Sequence, residues 1–376
     1  MEKPSVLVVG GSGFVGYHIV HHFVHHPDFG PVTVLSRSAG SSQSKNNVEG
    51  AGYVSANLND PESIRTIISE IKPTVIIHAA SPSPVTGVPR EYKDTTIDGT
   101  NNLLDAALAS EYVRVLIYTS SSTMAKGREH VDVDEAYPLA DSDPKAPMYA
   151  QSKALAETAV LKANKPLPFD FSEDRDWTGY LSTGSIRLPI VYGTHDLTSI
   201  PGCLGALEKG QTNIQIGDGK NLWDFCSTNN AAIAHAILAQ ALLGIHESTA
   251  KVDGGAFHIH DGAPRPFWDF ARTVWKAAGH KASPNSPPTI IPIWFALGLA
   301  NVLELLFWIF TFGKKRPQLL GKQQVEYACF THTYSLEKAR TRLGYSPKQN
   351  FEKDIEQAVK WSLDNDGWSE RLRRIR

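Results

Sequence analysis

The feature that most limits what this chain can fold into is a cluster of glycines closing its first apolar run. Ser5 to Val9 is strand-like, and it leads into Gly10-Gly11-Ser12-Gly13-Phe14-Val15-Gly16. Gly10, Gly13 and Gly16 form a GxxGxxG pattern that ends the strand and opens a helix. Glycines at that junction let the backbone turn tightly and approach a pyrophosphate, which the free N–H groups of the helix N-terminus then bind. A plain strand-to-helix turn would also tolerate glycines. Position at the first βα junction is what favours a dinucleotide, with Gly10, Gly13, Phe14, Val15 and Gly16 as its contacts.

The following residues keep that rhythm. Val32 to Leu35, Tyr53 to Ser55, Thr74 to Ile77 and Val113 to Tyr118 read as further strands, with helical patterns such as Glu62 to Ile71 and Thr100 to Ala109 between them. Apolar strands alternating with helices predict an α/β fold with a doubly wound parallel sheet, buried on both faces. From about Thr194 the alternation breaks and Gly, Pro and Asn become frequent. With 376 residues, the chain is expected to hold a nucleotide-binding domain over 1–193, which also carries the catalytic residues. A smaller substrate lobe over 194–376 hands some strands back to the sheet. Ser36 to Gly50 reads as a loop beside the cofactor, and Lys281 to Pro288 as a Pro/Ser connector.

Composition narrows the function by exclusion. A formal net charge of −2 leaves no basic stripe for nucleic acid. The three cysteines, Cys203, Cys226 and Cys329, show neither metal spacing nor a disulfide framework, which suits a reducing compartment. Met1 to Pro4 leads straight into the first strand, so no secretory leader is expected. His18, His21, His22, His25 and His26 have metal-like spacings on one helix. They lack cysteine or acidic partners, and the expectation is an exposed helix face and no metal.

The end of the second strand bears on the choice of cofactor. An acid there accepts the ribose hydroxyls of NAD, whereas this chain has Leu35-Ser36-Arg37-Ser38. Arg37 can pair with a 2′-phosphate, which favours NADP over NAD.

The chemistry is carried by two later segments. The fifth strand ends in Tyr118-Thr119-Ser120-Ser121-Ser122, and Tyr149-Ala150-Gln151-Ser152-Lys153 is a YxxxK. Residues four apart share a helix face, so Tyr149 and Lys153 are neighbours. A free tyrosine titrates near pH ~10, too high for an efficient base. A nearby ammonium and the positive ring of an oxidised nicotinamide both favour phenolate. Tyr149 is then the acid–base group, Lys153 its partner, and a strand-end serine holds the substrate oxygen. Ser121 is the preferred serine, with Ser120 and Ser122 as alternatives.

Together these motifs resemble the extended short-chain dehydrogenases/reductases. Within them the chain resembles the 3β-hydroxysteroid dehydrogenase branch and its sterol-4α-carboxylate 3-dehydrogenases (decarboxylating). The likeness extends through His78-Ala79-Ala80, Asp98-Gly99-Thr100 and Arg187-Leu188-Pro189-Ile190-Val191-Tyr192-Gly193. It continues through Gly217-Asp218-Gly219-Lys220-Asn221-Leu222-Trp223-Asp224-Phe225 to Lys338-Ala339-Arg340-Thr341-Arg342-Leu343-Gly344-Tyr345. The resemblance implies a Rossmann fold of the extended type and a nicotinamide cofactor. It also implies catalysis by Ser121, Tyr149 and Lys153. Ala79 and Ala80 then line the cofactor, Pro189 and Ile190 flank its nicotinamide, and Asn57-Leu58 meets its adenine. Some positions depart from the family pattern: Ser36 for an acid, Asn57 for an aspartate, Thr96 for an asparagine, and a longer, more polar Phe171 to Tyr180. They suggest a specialised relative, one of secondary metabolism.

One segment points beyond soluble chemistry. Ile290 to Phe312 is almost wholly apolar and is followed by Lys314, Lys315 and Arg316. About 20 helical residues reach across the ~30 Å of a bilayer core. Asn301 and Glu304 disfavour a full crossing, while Trp294, Phe307, Trp308 and the basic flank suit a helix lying in the membrane interface. A core helix or a homodimer contact is the alternative. The overall expectation is oxidation of a ring hydroxyl on a hydrophobic, sterol- or triterpenoid-like substrate, with or without loss of a neighbouring carboxylate. The site would be the cytoplasm or the cytoplasmic face of the endoplasmic reticulum. Ketone or aldehyde reduction with NADPH and nucleotide-sugar epimerisation or dehydration are the competing readings. A redox sensor would have no need of the Tyr149–Lys153 pair.

Overall fold

The computed structural model describes residues 2–39, 46–167, 176–245, 251–281, 287–311 and 321–374. Residues 40–45 of the predicted cofactor loop, 171–175 of the polar insertion, 282–286 of the connector and the basic cluster at 314–316 lie outside them.

The N-terminal half builds strands β1 (Val6–Val9), β2 (Val32–Ser36), β3 (Gly52–Ser55), β4 (Val75–His78) and β5 (Val115–Ser121). Side chains alternate across a strand, and here both faces of β1 are covered. Val6 and Val8 join Ile19, Phe23, Ile77 and Ile117 in one core. Leu7 and Val9 join Ile64, Ile68, Ile76 and Leu116 in the other. The strands Ser182–Leu188 and Gly255–His258 complete a seven-stranded sheet, ordered Gly255–His258, Ser182–Leu188, β5, β4, β1, β2, β3. Every pairing in it is parallel. The expected doubly wound parallel architecture is therefore present, and β1 next to β4 marks the point where strand order reverses.

Boundaries follow local chemistry. The helix Pro61–Ile71 starts where the Asp60 carboxylate accepts the Ser63 N–H and Pro61 sets the first turn. β5 runs three residues past the expected Tyr118, because its pairing with Ser182–Leu188 extends to Ser121↔Leu188.

The remaining elements interleave. A four-stranded sheet takes His130–Val133 from the first half and Leu222–Trp223, Arg265–Pro266 and His332–Tyr334 from the second. Its lobe has an aromatic core in which Phe225 and Phe270 stack with centroids 4.8 Å apart, with Tyr192 and Phe351 at their edges.

The apolar segment is not one helix from its first residue. Thr289–Ile291 is a strand paired with Ile214–Ile216, consistent with its β-branched residues. Pro292 then separates it from the helix Ile293–Thr311. That helix buries Ala296 and Ala300 against Val325 of the helix Lys322–Cys329. Trp294, Phe295, Val302, Trp308 and Phe310 are exposed. By length and composition it could cross a membrane.

Candidate active site

The glycine turn sits where β1 and β4 end side by side, Val9 opposite His78. Gly10 adopts φ +83°, and a Cβ there would lie 2.6 Å from the Ala80 nitrogen. A Cβ on Gly16 would lie 2.2 Å from the Gly10 carbonyl oxygen. Side chains are thus excluded from both positions, and the backbone turns back on itself with Gly13 N–H donating to Gly10 O at 2.9 Å. Gly13 opens the helix Phe14–Val24 without a side-chain cap, leaving its first N–H groups free for an anion. The cradle fits a dinucleotide pyrophosphate. Phe14 and Val15 form the half-buried first turn, and Ala79 and Ala80 continue from β4 beside Gly10.

At the end of β2, Ser36 Oγ lies 3.1 Å from Ser12 Oγ, so the residue replacing the acid touches the glycine turn. Arg37 is exposed, and its carbonyl accepts from Ser55 Oγ at 3.1 Å. Asn57 Oδ1 accepts the Asn59 N–H at 3.1 Å, which makes it a turn former on the surface. Leu58 is buried, with its carbonyl held by Asn102 Nδ2 at 2.8 Å. Sequence reasoning missed Asn46, whose Nδ2 donates to Ser12 O at 3.1 Å and whose Oδ1 lies 2.8 Å from His195 Nδ1. Nothing in the local pattern links residues 149 positions apart.

Ser121, Tyr149 and Lys153 come together at the C-terminal end of β5. The three serines there are not equivalent. Ser120 Oγ is directed at Met124 Sδ, 3.4 Å away. Ser122 Oγ is held by His258 Nδ1 at 2.9 Å and donates to Arg187 O at 3.2 Å. Only Ser121 of the three is among the groups that act on the Tyr149 phenol. Its Oγ also lies 2.8 Å from Thr123 Oγ1 and 3.4 Å from Leu188 O. Pro189 and Ile190 follow Leu188 directly, and Ile190 pairs with Phe225.

Tyr149 and Lys153 lie in the helix Met148–Lys162. Lys153 Nζ donates to Thr119 O at 2.7 Å and sits 4.6 Å from the Tyr118 ring centroid. Burial pushes its pKa down to about 7, with Glu157 pulling the other way. Burial pushes the Tyr149 phenol above its ordinary range, countered by the Ser121 hydrogen bond. In the protein alone desolvation sets the direction of the Tyr149 shift, and Lys153 Nζ is held by Thr119 O.

Glu157, one turn beyond Lys153, escaped the sequence reading although its i+4 spacing from the lysine was visible. It is fully buried and pairs with Arg187, whose Nη2 donates to Oε1 at 2.6 Å and Nε at 3.0 Å. Ser185 Oγ donates to its other oxygen at 2.7 Å. The catalytic helix is thereby tied to the neighbouring strand.

A small cleft opens over Tyr149, lined among others by Val85, Tyr92, Met148, Glu304, Gln323 and Gln324. Tyr327 reaches the same region: Gln323 Nε2 donates to its hydroxyl at 3.0 Å. Glu304 comes from the apolar helix and Gln323, Gln324 and Tyr327 from the helix packed on it, so this roof could not be read from any local motif. Thr96, where an asparagine was expected, is buried within a wide π-type stretch, Tyr92–Asp98.

Comparison with known proteins agrees with this geometry. A model of the 3-beta hydroxysteroid dehydrogenase/isomerase family matches residues 7–287. A sterol-4-alpha-carboxylate 3-dehydrogenase (decarboxylating) of Saccharomyces cerevisiae is 33% identical over 364 residues, covering 95% of this chain and 97% of the relative. One of Mus musculus is 26% identical, covering 95% and 91%. Among solved structures, the Bordetella bronchiseptica enzyme WbmH in complex with NAD+ superposes with a TM-score of 0.68 at 15% identity, covering 97% of this chain and 99% of that one. A UDP-glucose 4-epimerase of Thermotoga maritima gives 0.65 at 20% identity, covering 96% and 99%. At such low identity these two speak for the fold alone. The family match over most of the chain and the near full-length relatives mean that this chain belongs to the 3-beta hydroxysteroid dehydrogenase/isomerase family.

Proposed function

We propose that the chain is an NAD(P)-dependent dehydrogenase that oxidises a ring hydroxyl of a sterol- or triterpenoid-type substrate. The observation that carries this reading is the grouping of Ser121, at the end of β5, with Tyr149 and Lys153 one turn apart on the helix Met148–Lys162, Tyr149 lining a cleft and Lys153 bonded to Thr119 of the same strand. The names of the relatives supply the substrate class. Bound at the turn, an oxidised nicotinamide cofactor supplies the acceptor for the hydride leaving the carbinol carbon. Tyr149 takes the hydroxyl proton as the carbonyl forms, Ser121 orients the reacting oxygen, and Lys153, bonded to Thr119 O, holds the helix face that carries Tyr149 against β5 and favours the phenolate when it is charged. The same residues serve ketone reduction when reduced cofactor is in excess.

NADP is the favoured nucleotide, because the acid that would repel a 2′-phosphate is absent and Arg37 is exposed at the strand end. The helix Ile293–Thr311 is read as lying in a membrane interface, on the cytoplasmic face of the endoplasmic reticulum, where an apolar substrate is concentrated.

The test is Tyr149→Phe assayed with a 3-hydroxysterol. Turnover should fall at least ~100-fold, while nucleotide binding measured by fluorescence persists. Near-normal turnover would remove the acid–base assignment and with it this reading of the site.

A further inference from the structure

His195 has a left-handed backbone, φ +65°, which a residue with a Cβ adopts at a cost. Among the described non-glycine residues Lys72 and Asp132 share that region. Lys72 closes a helix and Asp132 lies in an irregular strand pairing, so local structure accounts for both. His195 is neither. It lies in the connection between the strand Ile190–Tyr192 and the helix Ser199–Glu208, and its side chain is engaged by three other segments. The ring centroid is 4.1 Å from that of Tyr17, on the helix Phe14–Val24, and 4.2 Å from that of Trp361, on the helix Phe351–Asn365. Nδ1 lies 2.8 Å from Asn46 Oδ1.

Asn46 passes this anchorage to the glycine turn. Its Nδ2 donates to Ser12 O at 3.1 Å. A carbonyl oxygen only accepts, so the amide nitrogen faces Ser12 and the amide oxygen faces His195, whose Nδ1 carries the hydrogen and donates. The other side of the same peptide is also held, because Gly13 N–H donates to Gly10 O at 2.9 Å. The Ser12–Gly13 peptide is therefore fixed at both its oxygen and its nitrogen. It leads into Gly13, the N-cap of the helix Phe14–Val24, and so aims the N–H groups of the first helical turn. His18 fastens the same helix to the same connection, its Nε2 donating to Thr194 O at 2.8 Å.

We propose that Asn46 and His195 form a clasp that preorganises the glycine turn for the pyrophosphate of a dinucleotide. The inference rests on the nucleotide site of the oxidoreductase reading above. Both are positioning residues, and neither is asked to touch the reacting atoms. A binding loop already held in its bound shape loses less freedom when the ligand arrives, and the strain at His195 is kept because the contacts around it serve that end. Trp361 extends the clasp into the lobe built around Phe225 and Phe270, since its helix also carries Phe351 of that core. NAD and NADP share the pyrophosphate, so the clasp acts on both alike.

The experiment measures Kd for NAD and for NADP by fluorescence titration, with the melting temperature, on full-length Asn46→Ala, His195→Gly and the double variant. Asn46→Ala should weaken both nucleotides by the same factor, about tenfold, the scale of one hydrogen bond and the order it imposes. His195→Gly removes the ring and the Nδ1 donor while glycine accepts the left-handed backbone, and it should do the same. The two residues act in series, so the double variant should bind no more weakly than the weaker single one. With a 3-hydroxysterol, KM for the nucleotide should rise and kcat at saturating nucleotide should stay. A clasp that only fastens the lobe would lower the melting temperature and leave Kd unchanged, and that result overturns the proposal. So do losses that multiply in the double variant, and so does a loss confined to NADP. If His195→Gly fails to fold, Asn46→Ala decides alone, because Asn46 is half-buried and outside any helix or strand. Wild-type protein that binds neither nucleotide removes the underlying reading and the clasp with it. Wild-type protein that binds, with variants that bind equally well, removes the clasp alone.

Discussion

The floor and the roof of the cleft are held in place by opposite means. In the floor, β5 is buried along its whole length, and Lys153, Glu157 and Arg187 are enclosed with their charged groups bonded to other parts of the chain. In the roof, the helix Ile293–Thr311 buries two alanines and presents Trp294 at 75% and Phe310 at 77% exposure. The floor is fixed by burial within the chain. The roof has little of its apolar surface covered by the described residues.

The strongest test of this contrast removes apolar surface from the roof. Replacing Leu299, Leu303 and Leu306 by Ser deletes about 4–9 kcal/mol of transfer energy if all three are buried in lipid. In the folded protein Leu299 and Leu306 are each 41% exposed, so only part of that energy is at stake for stability in water. Wild-type protein should sediment with lipid vesicles, and the variant should stay in the supernatant and still bind nucleotide. Wild-type protein that never sediments ends the idea.

A smaller but sharper effect is expected in the floor. Glu157→Gln leaves Arg187 buried without its countercharge, which typically costs about 3–5 kcal/mol. Denaturant unfolding should show a lower midpoint, with vesicle binding of the folded fraction untouched. Equal unfolding midpoints for variant and wild type would mean that this pair does not hold the catalytic helix.

The smallest effect belongs to the edge of the nucleotide site. Arg37→Ala should weaken NADP binding about tenfold, as expected for one charge-assisted contact at an exposed position, and leave NAD binding nearly unchanged. Equal losses for both nucleotides, or none, would assign Arg37 no part in the choice.

The same contrast explains what could be read from the sequence. Floor elements announce themselves locally. Glycines are required where a Cβ would strike backbone, a YxxxK shares a helix face, and apolar runs form strands buried on both sides. Gly10, Gly16, Tyr149 and Lys153 therefore all emerged from short windows. Roof elements do not, because Glu304, Gln323 and Tyr327 matter only after two helices separated in sequence pack together. The boundary at Pro292 was also obscured, since an isoleucine-rich run serves a strand and an apolar helix equally well. Even in the floor, the chemistry of the pair was only half legible: burial of Tyr149 and the Thr119 bond to Lys153 are consequences of tertiary packing.

The pairing of β5 with Ser182–Leu188 is continuous over seven residues and ends on Ser121 itself. The ladder therefore works as a measuring stick. It sets how far the catalytic hydroxyl projects from the sheet, and it has a unit of one residue. Side chains alternate faces along a strand, so a slip by one unit would turn Ser121 to the face away from Tyr149 and seat Ser120 or Ser122 in its place. The same slip would exchange Leu116 and Ile117 between the two cores on either side of the sheet, so the register is fixed by packing as well as by the site. Insertions should therefore be tolerated in the loops that lead into these two strands, and a single added residue inside either of them should not.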